Sequence, residues 1–440
     1  MLRRSTLHRR GPPVPEDSET NTEGTFHQDF AAVSDHYGSE IEDPHAIYRE
    51  LRRTRPVMEG DILAKFNVPS QADYSNLGRP VFTLFKYQDV MAVLRDAKTF
   101  TSSLLNEGLG QFLGGFMLTA MDGEQHKLAR NLLARAFTPA IFAESQTKMK
   151  PVARAAIEKL APLKRADLVS AVLLPLPIRL IYGFMGFPPD EARMRDFAAR
   201  AMRILVGPQR DPEKMRVSVE VALTAAREIY DDTIAIVRQR RAEGSVGHDL
   251  IGYLLRAGYD GRTLTDEEIT EFIRQLLPAA AETTTRSFGS MLVALLQRPA
   301  LLARVRGDRT LIPKVLNEGM RWETASQFLA RQCAVEVEIR GVKIPAGTAL
   351  SLATGSANRD EDIFDHADEF DIDRPMRPHV GFGFGAHLCL GMQIAKLEME
   401  IMLNCLLDCC PDLRLDPDAP APKIVGAQLR GPRAIHVVWS

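Results

Sequence analysis

The sequence predicts a mainly α-helical protein with a small β-rich part. Apolar residues recur at helical spacing along most of the chain from Asp43 onward. The longest such pattern begins at Thr265 and Glu268, which form a capping-box signature, and it predicts a long central helix. Strands are predicted only over short segments, at 81–84 and at 335–339, where the second is followed by turn residues and indicates a hairpin.

The composition is that of an ordinary globular protein, with 45% hydrophobic and 25% charged residues. A chain of 440 residues can form two or three average domains or one large domain, and composition does not decide between them. The 55 basic and 57 acidic side chains give a net charge of -2, which argues against a surface built for nucleic acid. No segment has the roughly 18 uninterrupted apolar residues that a membrane-spanning helix needs. We therefore expect neither nucleic acid nor a membrane as a partner.

The cysteines and the N-terminus bear on the compartment. Five cysteines without a Cys-x-x-Cys pair favour a reducing compartment, and we expect a cytoplasmic monomer. Residues 1–28 combine a basic start with glycine, proline and acidic residues, which predicts a disordered tail, with a transit peptide as the alternative. The functional domain is expected over 29–440.

The most specific stretch is 382–391, Phe-Gly-Phe-Gly-Ala-His-Leu-Cys-Leu-Gly. Gly383 and Gly385 permit positive φ angles and close approach of the backbone. The helical pattern that follows places Cys389 at a helix N-terminus, where free N–H groups favour the thiolate form. A lone cysteine is more often a small buried apolar residue. The spacing nevertheless favours a metal ligand.

This stretch resembles the cysteine-ligand loop of the cytochromes P450, the haem-thiolate monooxygenases. The resemblance implies haem b (iron protoporphyrin IX) with Cys389 as the axial iron ligand. It also implies that Phe382 packs beside the sulfur and that His387 hydrogen-bonds a haem propionate. The resemblance runs from about residue 43 to the C-terminus, so it implies a single domain of the cytochrome P450 type. The haem would lie between the central helix and the helix that follows the loop.

Three further residues match propionate partners of the family. His126 and Arg130 share one face of a predicted helix, an arrangement that by itself is more typical of a solvated pair. The resemblance implies that both contact a propionate and that Arg331 is a further partner. Two buried carboxylates need such charged or hydrogen-bonding groups.

The central helix contains Ala279 and, three residues later, Glu282 and Thr283. Alanines in a helix usually reflect helix propensity or tight packing. Small residues also leave room beside the helix, and Thr283 can donate a hydrogen bond back to the Ala279 carbonyl. The segment resembles the family's oxygen-activating stretch, in which an acid and a threonine deliver protons to dioxygen. Ala280 replaces the usual glycine and narrows the groove by one methyl group.

Glu318 and Arg321 lie three residues apart in another predicted helix. An exposed ion pair at this spacing contributes less than about 1 kcal/mol to stability. The resemblance implies instead a buried Glu-x-x-Arg pair, completed by Arg374, that holds the chain before the ligand loop.

Taken together, the resemblance implies a monooxygenase that inserts one oxygen atom of O2 into an apolar small organic substrate. Electrons would come from a ferredoxin or flavodoxin with its reductase, docking at cationic residues near the motifs. The alternatives are a peroxide-driven haem-thiolate enzyme and a haem protein that only binds or senses a ligand. Glu282 and Thr283 favour the first hypothesis, because neither alternative needs a proton relay to dioxygen. The apolar, glycine-rich segment 103–119 is expected to be mobile, poor core material and a lid over the pocket.

Overall fold

The computed structural model describes residues 18–73, 78–108, 110–137, 139–244, 247–259 and 261–440. In these ranges the chain is mainly helical with small sheets, which confirms the predicted fold class. The helices are α1 (Ser18–His36), α2 (His45–Thr54), α3 (Ile62–Lys65), α4 (Tyr87–Arg95), α5 (Gly110–Leu113), α6 (Gly123–Ala134), α7 (Pro139–Glu158), α8 (Pro175–Met185), α9 (Glu191–Leu205), α10 (Pro212–Ala242), α11 (Leu250–Arg256), α12 (Asp266–Leu296), α13 (Pro299–Gly307), α14 (Ile312–Trp322), α15 (Thr354–Ala357) and α16 (Met392–Cys409). The strands are β1 (Val57–Glu59), β2 (Val81–Leu84), β3 (Phe100–Thr101), β4 (Arg165–Asp167), β5 (Gly258–Tyr259), β6 (Arg262–Thr263), β7 (Phe328–Cys333), β8 (Val337–Ile339), β9 (Val342–Ile344), β10 (Ala349–Ala353), β11 (Arg414–Leu415), β12 (Ile424–Val425), β13 (Gly431–Pro432) and β14 (His436–Val438).

The central helix α12 is the axis of the domain. The predicted capping box is confirmed: the Glu268 N–H donates to Thr265 Oγ1 at 3.1 Å, and the Thr265 N–H donates to Glu268 Oε2 at 2.9 Å. The helix then runs through Pro278 without interruption and packs against α8, α9, α10 and α14. Its apolar side chains are buried on several sides, and each contributes about 1.5–3 kcal/mol to folding. The central helix is therefore part of the core and not a surface helix.

The sheets lie around this helical core. The largest has the order β1-β2-β10-β7-β3, with β10 parallel to β2 and antiparallel to β7. Its strand β2 has the predicted bounds, and the predicted hairpin is confirmed as β8 and β9, beginning at Val337. Arg331 lies in β7, opposite Leu350 of β10. The sheet thus fixes one of the residues predicted to bind the cofactor.

None of the helices in the described ranges has, taken singly, both the length and the apolar composition of a membrane span. Only α12 and α13 taken together pass on length and composition, and they are bent by 105° at the break between them.

The N-terminal tail differs from the expectation over part of its length. Residues 1–17 of the predicted tail lie outside the described residues, whereas Ser18 onward belongs to helix α1. The helix is held by tertiary contacts near its C-terminal end, where Phe30, Val33 and Tyr37 are buried and Asp29 pairs with Arg203 of α9 at 3.2 Å. Packing of this kind supplies most helical stability in proteins, and a polar sequence does not reveal it.

The glycine-rich segment also differs from the expectation. It folds into a 3₁₀ turn at Ser103–Glu107, helix α5 and a second 3₁₀ turn at Leu118–Ala120, while Leu109 lies outside the described residues. Its apolar side chains are buried; they are Leu104, Leu105, Phe112, Leu113, Phe116, Met117 and Leu118. The expectation that the segment is poor core material is therefore wrong. Residues 110–120 are called the lid segment below.

Candidate active site

The loop before α16 is built by close contacts of its backbone. The Cys389 N–H donates to the Phe382 carbonyl at 2.9 Å and closes the loop. Gly383 and Gly385 both have φ of 70°, as their sequence pattern predicts. A Cβ atom at Gly385 would lie 2.3 Å from the Leu94 carbonyl oxygen at the end of α4. The loop is therefore pressed against a neighbouring helix at a position that only glycine can occupy.

The Cys389 thiol is both accessible and closely surrounded by protein atoms. The residue is exposed, yet burial raises the pKa of its thiol. The N–H groups of Gly391 and Met392 and the Arg130 guanidinium oppose this rise in pKa. The two N–H groups lower the thiol pKa, as predicted, but burial raises it by more than they lower it. Helix α16 begins at Met392, three residues after the cysteine and not at it.

Two arginines predicted to bind propionates are brought to the same region without carboxylate partners. Arg130 donates to the Leu388 carbonyl of the ligand loop at 2.6 Å. Arg331 is buried and donates to the carbonyl of its neighbour Ala330 at 2.7 Å. Burial lowers the pKa of Arg331 to about 10. Within the described ranges neither arginine makes an ion pair, so both can receive an anionic ligand.

Two histidines stack beside these arginines. The ring centroids of His126 and His387 are 4.1 Å apart. His387 Nε2 lies 3.2 Å from Ser102 Oγ and 3.8 Å from a carboxylate oxygen of Asp122. His126 Nε2 is buried and has no hydrogen-bond partner among the described residues. Burial, and secondly His387, lower the pKa of His126 to about 4, so His126 is a neutral donor near pH 7. A cavity of about 600 Å³ is lined by both histidines and by Arg130.

These residues fit the group that the ligand loop implies. The free and accessible Cys389 thiol provides one metal ligand. Two arginines without carboxylate partners and an orphaned histidine nitrogen provide what two buried carboxylates need. Haem b, with one iron and two propionates, matches this set of donors.

The middle of α12 offers an open groove. Ala279 is exposed although its helix belongs to the core, and Thr283 is half-buried one turn later. Thr283 Oγ1 donates to the Ala279 carbonyl oxygen at 2.7 Å, which confirms the predicted hydrogen bond. Phe382, the residue predicted to pack beside the sulfur, is half-buried with its ring 5.6 Å from Lys396 Nζ.

Glu282 lies on a different face from Thr283, since successive helical residues are about 100° apart. Its side chain is 1% exposed and pairs with Arg286, one turn further along α12. Its Oε2 has no hydrogen-bond partner among the described residues. Burial raises the pKa of Glu282, and Arg286 opposes that rise.

The Glu-x-x-Arg pair is buried, as the resemblance implies. Arg321 donates to Glu318 through two nitrogens, at 2.7 and 2.8 Å, and Arg374 Nε lies 3.4 Å from the same carboxylate. Arg321 also donates to the carbonyls of Asn358 and Ala367. The triad therefore ties α14 to the segment that leads into the ligand loop.

Two residues that sequence reasoning missed are Glu271 and Gln275. Both side chains hydrogen-bond the backbone of the lid segment. Their positions in the sequence gave one indication of a role: Glu271 lies eight residues and Gln275 four residues before Ala279, which puts neighbouring members of this series on the same side of the helix. Polar residues at that spacing usually indicate a solvated face, so the signal was weak.

The fold and this set of donors define a haem-thiolate oxygenase. A family model described as Cytochrome P450 matches residues 194–422. The chain is 34% identical over 333 residues to the cyclomarin C epoxidase CymV of Salinispora arenicola, covering 74% of this chain and 83% of that relative. It is 31% identical over 411 residues to the nocardicin C N-oxygenase of Nocardia uniformis, covering 90% and 96%. The chain belongs to the cytochrome P450 family.

Solved structures agree. The structure of CYP109E1 from Bacillus megaterium with testosterone superimposes with a TM-score of 0.77 at 27% identity, covering 90% of this chain and 99% of that one. The complex of P450BioI with a hexadec-9Z-enoic acid ligated acyl carrier protein gives a TM-score of 0.78 at 26% identity, covering 90% and 99%. As a member of this family the protein is an oxidoreductase that incorporates oxygen, and its cofactor is haem b.

Proposed function

We propose that the protein hydroxylates an apolar small organic substrate with one oxygen atom of O2. The observation that carries the proposal is the Thr283 hydroxyl, which donates to the Ala279 carbonyl at 2.7 Å beside an open part of the central helix. A hydroxyl held in this way keeps its oxygen free to accept a hydrogen bond from a water molecule. Such a water is what proton delivery into an otherwise apolar groove requires.

The cofactor site is assigned to the residues whose geometry fits it. Cys389 would hold the iron, and Arg130, Arg331, His126 and His387 would hold the two propionates. When bound, haem b supplies the iron at which dioxygen is reduced and from which one oxygen atom passes to the substrate. The protein residues contribute position, charge balance and protons.

Thr283 is assigned to hold the water that delivers protons, and Glu282 to supply protons from solvent by changing its rotamer. Two observations support a role for Glu282: its Oε2 has no partner among the described residues, and burial raises its pKa, so it binds a proton more readily. To reach the groove, the carboxyl has to leave Arg286. That separation is the costly step of the proposed relay, since both side chains are buried.

The substrate is expected to be apolar because the neighbours of Ala279 on α12 include the half-buried apolar side chains of Leu276 and Ala280. Named ligands of related structures point the same way: CYP109E1 has been solved with testosterone and with corticosterone. P450BioI has been solved with a fatty acyl chain on its carrier protein. These ligands belong to those proteins, and they support only the substrate class for this chain.

We propose that the protein is a cytoplasmic monomer. It would receive electrons from a ferredoxin or flavodoxin with its reductase. Four cationic residues flank the haem-binding motifs in sequence: Lys396 is half-buried over the Phe382 ring, and Lys127, Arg135 and Arg377 are exposed. Acidic redox proteins are steered to such charges, so association should weaken as salt rises. Reversing the three exposed charges should slow reduction and flatten its salt dependence. Unchanged reduction kinetics would refute the docking site.

Incorporation of oxygen-18 from labelled dioxygen into the product tests the proposed reaction. A compound library is first screened for ligands that shift the ferric haem to high spin, and a hit is then incubated with ferredoxin, reductase and NADPH under labelled dioxygen. One labelled oxygen atom is expected in the hydroxylated product. Product formed only with added peroxide would favour a peroxygenase, and tight ligand binding without any product would favour a sensor.

A further inference from the structure

We propose that Glu271 and Gln275 form a latch that holds the lid segment closed over the substrate groove. Gln275 would thereby be a specificity-determining residue, because the strength of the latch limits the size of the molecule that can enter. The inference rests on the proposed function only in taking the groove beside Ala279 as the substrate site.

The latch consists of three hydrogen bonds between side chains of α12 and the backbone of the lid segment. Gln275 Oε1 accepts from the Leu118 N–H at 3.2 Å, and Gln275 Nε2 donates to the Phe116 carbonyl at 2.8 Å. Glu271 Oε2 accepts from the Phe116 N–H at 2.8 Å. The oxygen and the nitrogen of the buried Gln275 carboxamide therefore both bond to the backbone, at positions two residues apart. Such a match fixes the lid segment at one register on the helix.

A glycine turn seats the lid segment between two side chains of α12. Gly114, at the end of α5, has φ of 87°. A Cβ atom there would lie 2.7 Å from Arg274 Nη2 and 2.9 Å from Glu271 Oε1. The backbone therefore enters a gap between Glu271 and Arg274 that a side chain would close, so the latch and the turn are matched in shape.

The base of this loop is fixed independently of the latch. The Ser102 N–H donates to both carboxylate oxygens of Asp122, at 3.0 and 2.9 Å, which joins the two ends of the loop. Ser102 Oγ also lies 3.2 Å from His387 Nε2 in the ligand loop. A compact loop with joined ends opens at its tip. Opening here breaks the three bonds of the latch and lifts buried side chains such as Phe116 and Leu118, while the bonds at the base stay in place.

The position of the latch connects it to the substrate groove. Glu271, Gln275 and Ala279 follow one another at intervals of four residues, so each lies one turn from the next and only about 40° further around α12. The tip of the lid segment therefore lies one to two turns from exposed Ala279. With an apolar residue at 275, the closed lid loses the hydrogen bonds from Gln275 to the Phe116 carbonyl and to the Leu118 N–H, which disfavours the closed state.

The test uses two haem-binding probes of different size on the ferric holoenzyme. Stopped-flow association of 4-phenylimidazole reports entry of a large molecule, and association of imidazole reports entry of a small one. Gln275→Leu loses two buried hydrogen bonds and should speed 4-phenylimidazole association by about tenfold, whereas Glu271→Leu loses one and should speed it by about threefold. Imidazole association should change by less than about twofold, because a small probe needs little opening.

Two variants serve as controls. Thr285→Val removes another buried hydrogen bond of the same helix, from Thr285 Oγ1 to the Leu173 carbonyl at 2.6 Å, and should leave both association rates unchanged. Glu271→Gln keeps an acceptor for the Phe116 N–H, so 4-phenylimidazole should associate with this variant at the rate of the wild type. Gln275→Glu, which keeps the acceptor for Leu118 and loses the donor to Phe116, replaces Gln275→Leu if that variant does not fold.

Hydrogen exchange separates a latch from general loosening. The Phe116 and Leu118 amides should exchange faster in Gln275→Leu than in Thr285→Val. The proposal would be overturned if the latch variants speed the association of imidazole and of 4-phenylimidazole equally. It would also be overturned if they leave the rate of 4-phenylimidazole association unchanged. Because these readouts need no turnover, failure of the proposed hydroxylation would leave them informative.

Discussion

Glu282 and Arg286 form an ion pair inside the central helix, with 1% of each side chain exposed. Arg286 also donates to Ser34 Oγ of α1 at 3.0 Å, and its guanidinium lies 4.9 Å from the Phe30 ring centroid. The proposed proton donor is therefore joined through one arginine to the N-terminal helix. Glu282 can act in proton transfer only to the extent that this arrangement loosens.

Glu282→Gln should have two separable effects. It leaves Arg286 buried without a counter-charge, which costs about 3–5 kcal/mol, so the melting temperature should fall. It should also slow oxygen consumption during turnover. The double variant Glu282→Gln/Arg286→Met removes both charges and should recover much of the stability without recovering the rate. If the rate returns together with the stability, Glu282 is a structural residue only.

Thr283→Ala should uncouple electron use from product formation. The variant should bind substrate and consume NADPH, but it should release a larger share of the oxygen as hydrogen peroxide, since the groove has lost the hydroxyl that holds a water. Thr283→Ser keeps the hydroxyl and should stay coupled. Peroxide and product are quantified per NADPH consumed. Unchanged coupling in Thr283→Ala would leave this part of α12 as packing only.

Glu318→Ala should lower the yield of folded holoprotein. It leaves Arg321 and Arg374 buried without their carboxylate, a loss of about 3–5 kcal/mol. Arg304→Ala is the control, because Arg304 pairs with Asp373 at the surface, where solvent screens the pair and its loss should barely change stability. Haem content and melting temperature measure both. Equal effects of the two variants would show that burial of the Glu318 pair adds nothing.

Cys389→His should remove the red-shifted Soret band that a thiolate-ligated haem gives with carbon monoxide. Cys409→Ser is the control: it changes a thiol in the last turn of α16, the helix that follows the ligand loop, and should keep the band. Difference spectra of the reduced proteins measure both. A band that persists in Cys389→His would identify another residue as the ligand.

Acid should destabilise the protein partly through His45. Burial lowers the pKa of His45 to about 4, with Arg359 acting in the same direction and Glu323 opposing. Between the ordinary histidine pKa of about 6.5 and about 4 the unfolded chain binds a proton that the folded chain does not, so the free energy of unfolding falls as the pH is lowered. The full slope for one such group is about 1.4 kcal/mol per pH unit.

His45→Gln tests this dependence. Glutamine keeps a donor for Glu323, which His45 Nε2 approaches to 3.1 Å, but it does not titrate. Urea unfolding at pH values of about 5 and about 7 should therefore show a smaller difference than in the wild type. Part of the slope should remain, because burial also lowers the pKa values of His36 and His379 to about 4. An unchanged difference would exclude His45.

Features encoded by local spacing could be predicted from the sequence. The capping box of α12, the hydrogen bond from Thr283 to Ala279 and the glycine conformations of the ligand loop each depend on residues within a few positions. The start of α16 was less accurate, because a 3₁₀ turn and Gly391 precede the helix and delay it to Met392.

Features that depend on distant contacts could not be predicted. Glu271 and Phe116 are separated by 155 positions, and nothing near either residue indicates the other. Arg286 and Ser34 are 252 positions apart, so the contact that holds the partner of Glu282 against α1 was hidden as well. The lid segment was expected to be mobile for the same reason: its partners lie on another element.

The ligand loop and the lid segment differ in how they can change during selection for new substrates. At Gly381 and Gly385 the atoms that exclude a side chain are the carbonyl oxygens of Met320 and Leu94, which would lie 2.4 and 2.3 Å from an added Cβ. No substitution of a neighbouring side chain relieves an obstruction made by the main chain. The latch, in contrast, is made by side chains and can be altered one residue at a time. A randomised library should therefore accumulate changes at 271 and 275 and return both glycines unchanged, so the enzyme can acquire a new substrate while its sulfur ligand stays in place.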